Sequence, residues 1–106
     1  MKSKVCPLMI GGMPMLLLTA ACGVPLPKAD LLGRAESMWD VSGGDPHQLH
    51  GQLNTLETLG YLRRAGTVPS AGRPSVLWVI TREGEEVLDK CWPELMAWKR
   101  ERQDAA

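Results

Sequence analysis

Four leucines, Leu49, Leu53, Leu56 and Leu59, stand at intervals of four, three and three and stop at Gly60. That spacing lays one continuous apolar edge along a helix, and glycine is the residue that most readily ends one. Asp45-Pro46 opens the segment. Asp accepts orphan backbone N–H bonds as an N-cap, and Pro fits the first helical position, so a helix is expected over 45–59. Beyond Gly60 the period changes from helical to extended. Tyr61-Leu62-Arg63-Arg64 leads through Ala65-Gly66-Thr67-Val68 into a turn-rich stretch from Pro69 to Pro74. Ser75-Val76-Leu77-Trp78-Val79-Ile80 follows, with the β-branched and aromatic residues of a strand. The two arms over 61–80 are expected to pair as an antiparallel hairpin with a basic tip. Thr81 then caps a last helix over 82–103, with Glu83 and Glu85 near its positive end and Val87, Leu88, Cys91 and Trp92 on its apolar side. Pro93 is expected to break that helix.

The N-terminal part admits two readings. From Val5 to Ala21 no residue is charged, Lys2 and Lys4 precede the run, and Thr19-Ala20-Ala21-Cys22 closes it. This resembles a lipoprotein signal peptide with Cys22 as the lipidated residue. Gly11-Gly12 and Pro14 interrupt the run, however, and it is too short for a transmembrane helix. The favoured reading is a buried core helix over 13–22 with Pro14 in its first turn, because the rest of the chain needs such a helix. Gly23-Val24-Pro25-Leu26-Pro27 breaks it. A short second helix follows over 28–36, with Leu31, Leu32 and Ala35 as its stripe, and a loop from Ser37 to Gly44 carries Met38 and Trp39 back to the core.

The 106 residues make a single domain with room for one core. The fold class is α+β, mainly α, and the order helix, short helix, capped helix, glycine stop, basic hairpin, helix is that of a winged helix-turn-helix. Three ordered motifs carry a closer resemblance: Leu53-x-x-Leu56-Glu57-x-Leu59-Gly60-Tyr61-Leu62-Arg63-Arg64, then Gly72-Arg73-Pro74, then Leu77-Trp78-x-Ile80-Thr81-x-x-Gly84-x-x-x-Leu88. The set resembles the bacterial transcriptional regulators of the MarR and PadR kind. Their recognition helix ends in a similar Leu-Glu-x-x-Gly-Leu-x-x-Arg, and their wing closes on a Thr-x-x-Gly that opens the next helix. The match covers residues 45–88 by motif and 13–36 by pattern only.

Charge supports the same function independently. The chain has 12 Lys+Arg and 12 Asp+Glu, a formal net charge of zero, which excludes a uniformly basic protein. Along the sequence the balance separates. Arg63, Arg64, Arg73 and Arg82 meet no acid between Thr58 and Arg82, whereas from Glu83 to Glu94 five acids stand against Lys90. With Leu49, Leu53 and Leu56 turned inward, the base-facing candidates on the capped helix are His47, Gln48, His50, Gln52, Asn54 and Thr55, and Gly51 permits close approach of the backbone. Arg63, Arg64 and Arg73 are the candidates for phosphate.

Catalysis has no support in the sequence: there is no nucleophile elbow, no phosphate-cradling glycine loop and no CxxC spacing. His47 and His50 are half of a metal site without an identified third ligand, so no cofactor and no metal are expected. Cys6, Cys22 and Cys91 are odd in number and irregular in spacing, which argues against a disulfide framework and for a reducing, cytoplasmic setting. Leu88, Trp92, Leu95 and Trp98 are expected at a homodimer interface on the last helix. The expected partners are duplex DNA and a second copy of the chain. The alternatives are a winged-helix module that binds another protein through exposed tryptophans, and an exported lipoprotein.

Overall fold

A computed structural model of the chain describes residues 8–41, 46–70 and 72–105. The elements in chain order are α1 (Met13–Ala20), β1 (Leu26–Pro27), α2 (Lys28–Trp39), α3 (Pro46–Thr58), β2 (Leu62–Ser70), β3 (Arg73–Ile80) and α4 (Arg82–Ala105). The proposed cap Asp45 lies outside the described residues, as does Cys6.

α1 is the centre of the molecule. Every residue from Met15 to Ala21 is buried, as befits a helix apolar on all sides. Its polar member, Thr19, is satisfied twice: the hydroxyl donates to the Leu16 carbonyl at 2.6 Å and accepts the indole N–H of Trp39 at 2.7 Å. A chain cut before Cys22 would lose this helix and with it the middle of the core. Among the described residues no helix is long and apolar enough to cross a membrane.

α2 continues to Trp39, three residues past the expected end at Glu36. Leu31, Ala35 and Trp39 recur every fourth residue and are all buried, so the stripe carries the helix past the expected stop. It ends at Asp40, in the left-handed conformation at φ 52°, which Asp tolerates better than most residues. The expected loop of eight residues is shortened accordingly. α3 buries Leu49, Leu53 and Leu56, but Leu59 lies beyond the helix and is 47% exposed, correcting its place on the apolar edge.

β3 is the middle strand of a sheet ordered β1-β3-β2, all antiparallel. The expected two-stranded hairpin thus gains a third strand: Leu26 and Pro27, read as a helix break, pair with Trp78 and Leu77. On the other side Arg64 faces Trp78 across the ladder, and a bulge between Arg64 and Thr67, with Gly66 at φ 119°, shifts the register. Thr81 fastens the base of the hairpin. Its N–H donates to the Tyr61 carbonyl at 2.9 Å, its hydroxyl donates to the Gly60 carbonyl at 2.5 Å and accepts the Gly84 N–H at 3.0 Å. A Cβ on Gly84 would run into the Tyr61 carbonyl oxygen, so the approach requires glycine.

α4 runs unbroken through Pro93, a second correction. The proline removes one N–H, and both it and Asp89, whose carbonyl stands one turn back, lie on the exposed side of the helix, where such a carbonyl is open to water. Val87, Leu88, Cys91 and Leu95 are buried against the core. Cys91 is disulfide-bonded while Cys22 is free. The odd count and irregular spacing of the cysteines therefore do not exclude a disulfide at Cys91.

Candidate nucleic-acid interface

A cleft of about 330 Å³ opens where three elements converge. α2 contributes Lys28 at its first position, α3 contributes His50, and the sheet contributes Arg64, Arg73 and Trp78, with Pro74, Ser75 and Val76 along the wing strand. Among the described residues no carboxylate lines it. Packing dictates this arrangement. Burial of Leu49, Leu53 and Leu56 turns the opposite face of α3 outward, while the hairpin stands beside it on the Thr81 fastening.

The candidate base-facing residues divide by exposure. His47, Gln48, His50 and Thr55 are exposed, and Gln52 and Asn54 are half-buried. The Thr55 hydroxyl donates to the Gly51 carbonyl at 2.9 Å, so its proton is engaged within the helix. Asn54 carries a buried side-chain oxygen with no hydrogen-bond partner. With Thr55 and Asn54 set aside, His47, Gln48, His50 and Gln52 are left of the set.

The arginines also separate. Arg73 is exposed near the far end of the hairpin. Arg64 is not a free cation: its Nε donates to Glu57 Oε2 at 3.1 Å, and its guanidinium lies 5.2 Å from the centre of the Trp78 ring. Arg63, exposed, is next to Arg64 on β2, and strand alternation turns it to the other face; it does not line the cleft. Arg82 is far down the chain from the tip and lies 3.7 Å from Glu86, both exposed. Lys28 was missed by sequence reasoning, since nothing local marks a helix-opening lysine as the neighbour of a distant wing.

The acidic segment faces elsewhere. Glu85, Leu88, Asp89 and Trp92 on α4 line, with Cys22, a second, open cavity of about 470 Å³. Burial, with help from the nearby Glu85 charge and against the pull of Arg34, raises the Cys22 thiol above its ordinary range. Among the described residues no group of three His, Cys, Asp or Glu comes together to hold a metal.

The expected dimer residues need correction. Leu95 is fully buried and Leu88 is 7% exposed, so both belong to the core of the protomer itself. Trp92 is 44% exposed. Trp98 is half-buried against Trp39, with ring centres 6.1 Å apart. The surface available to a partner on this helix centres on Trp92.

No family model and no curated protein matches the chain. Solved structures do. The crystal structure of smu.1704 from Streptococcus mutans UA159 has a TM-score of 0.65 at 22% identity, over 81% of this chain and 77% of that one. A PadR-like transcription factor from Bacteroides fragilis has a TM-score of 0.65 at 16% identity, over 89% of both chains. These likenesses establish the fold, a winged helix shared with both structures. Of the two families that the sequence motifs resemble, PadR is the one named among them.

Proposed function

We propose that this winged-helix chain is a transcriptional regulator that binds duplex DNA with sequence preference and acts as a homodimer by occupying an operator. The observation that carries the reading is the cleft between α3 and the wing, lined by Lys28, His50, Arg64 and Arg73 and, among the described residues, by no carboxylate. In the proposed complex α3 lies in the major groove. Gln48 and Gln52 offer bidentate amides to adenine edges, with His47, His50, Asn54 and Thr55 along the same helix. Arg73 and Arg64 meet phosphates beside the groove, and Arg63, turned to the other face, contributes only general positive potential. Trp92 is the proposed centre of an isologous contact between two copies of α4. Such a protein works in the cytoplasm, where DNA is, and needs no cofactor and no catalytic residue.

The test is fluorescence anisotropy of the purified chain against random and upstream genomic duplexes at two salt concentrations. Binding that weakens with salt on every duplex and is tightest on one upstream site is the expected result. In that assay Gln52→Ala should erode the preference for the tight site while leaving random duplex nearly untouched; equal loss on both would contradict base reading.

A second reading follows from the exposure of Trp92: a module that binds another protein and never touches nucleic acid. Absence of any salt-sensitive DNA binding favours it. The export reading, with cleavage before Cys22, is tested by the intact mass of the cellular protein, for which the uncleaved value is expected.

A further inference from the structure

We propose that Glu57 and Trp78 are positioning residues for Arg64, holding its guanidinium ready for a DNA phosphate; this rests on the reading of the cleft as a duplex-DNA site. Three observations converge on one side chain. The Nε of Arg64 donates to Glu57 Oε2 at 3.1 Å. The guanidinium carbon stands 5.2 Å from the centre of the Trp78 ring. Trp78 is 2% exposed and is the ladder partner of Arg64, so the ring is a fixed platform set by strand register.

The geometry leaves the useful donors over. A guanidinium carries five N–H groups in one plane, and the carboxylate takes the one on Nε. The aromatic face supports the plane without consuming an N–H. The two terminal nitrogens, which form the fork that grips a phosphate bidentately, are left to the cleft that Arg64 lines and Glu57 does not. An arginine on an open strand samples many rotamers, and ordering it opposes binding. Here the ordering is done before DNA arrives. The pair also ties the last turn of α3 to the first residues of β2, so that the base-reading helix and the wing present their contacts in one fixed relation.

The obvious rival role for Glu57 is that of a competitor, neutralising Arg64 until phosphate displaces it. The two roles differ in sign. Deleting a negative charge beside a phosphate site by itself raises affinity, whereas deleting a positioning group lowers it.

The experiment uses the full chain and a random-sequence duplex, followed by anisotropy across a range of salt. Glu57→Ala should weaken binding by roughly three- to tenfold, the scale of ordering one flexible side chain. Glu57→Gln, which keeps an acceptor oxygen, should recover most of that loss. Arg64→Lys, which keeps the charge without the planar fork, should bind like Glu57→Ala. Arg64→Ala should lower the salt slope by about one, and adding Glu57→Ala to it should weaken binding no further. Because the pair is exposed, the variants should melt close to the wild type, which separates lost binding from lost fold. Binding by Glu57→Ala as tight as wild type or tighter, or a loss that adds to that of Arg64→Ala, overturns the proposal and leaves the DNA reading in place. A wild-type chain without salt-dependent binding overturns both.

Discussion

Arginine lies against tryptophan at two ends of this molecule, with different consequences. Near the wing, Arg64 rests over the buried Trp78 at 5.2 Å and has one carboxylate on its Nε. At the far end of α4, Arg102 rests over Trp98 at 5.0 Å, and both of its terminal nitrogens donate to backbone carbonyls, that of Trp39 at 2.7 Å and that of Asp40 at 3.1 Å. These are the last carbonyls of α2, which a helix leaves unsatisfied and which attract a cation. The same pairing of cation and ring thus closes a structure at one end, where the fork is filled by the protein's own backbone. At the other end the fork remains open toward the cleft. Surroundings decide the role: Trp39 sits among Trp92, Trp98 and Thr19, with Lys99 also above its ring, whereas Trp78 sits beside a cleft lined by Lys28, His50 and Arg73.

The contrast is open to attack by substitution. The largest effect is expected from Trp39→Ala, which empties a buried site and takes from the Thr19 oxygen the N–H it accepts. Loss of about 3–5 kcal/mol in denaturant unfolding is predicted, and a loss below about 1 kcal/mol would mean that this end does not carry the fold. Next is Arg73→Ala. It should weaken every duplex alike and reduce the salt slope by about one, with the melting temperature unmoved; an unchanged slope would remove the wing from the binding surface. Arg102→Ala should do the reverse, costing about 1 kcal/mol of stability through two lost hydrogen bonds at a partly solvated site while leaving the salt slope alone. Should its slope change, the two ends are not separate in function. The smallest effect belongs to Arg82→Ala: the pair with Glu86 is widely exposed on both sides, and unfolding should shift by less than about 0.5 kcal/mol.

Local chemistry is legible in the sequence and long-range placement is not. The leucine spacing marks the inward face of α3, Gly60 marks its stop with φ at 85°, and Thr81 marks the cap that its hydroxyl makes to the Gly84 N–H. Each signal acts within one or two turns of chain. The misses are of another kind. β1 is two residues long and contains a proline, so only its partner β3 defines it as a strand. Trp39 reads as a loop residue because Gly43 and Gly44 follow closely; its every-fourth spacing from Leu31 and Ala35 is the signal that outweighs them. Pro93 reads as a breaker until the side of the helix on which it falls is known, and an exposed side dissolves the objection. Leu88 and Leu95 point to a partner only while the size of the protomer's own core, filled largely by α1, cannot be judged from spacing. Lys28 and Glu57 enter the candidate site through tertiary contacts with the wing region, which no periodicity encodes.

The fastening at Thr81 also bears on what the wing can become. Residues 60 and 61 are locked to residues 81 and 84 at the base of the hairpin, so the ends of the hairpin are joined whatever its length. Closing such a loop grows costlier only slowly with size, by about 0.6 kcal/mol for each doubling. Residues added at the far end should therefore leave the helices undisturbed, and wing reach is a dimension along which descendants of this chain are free to diverge.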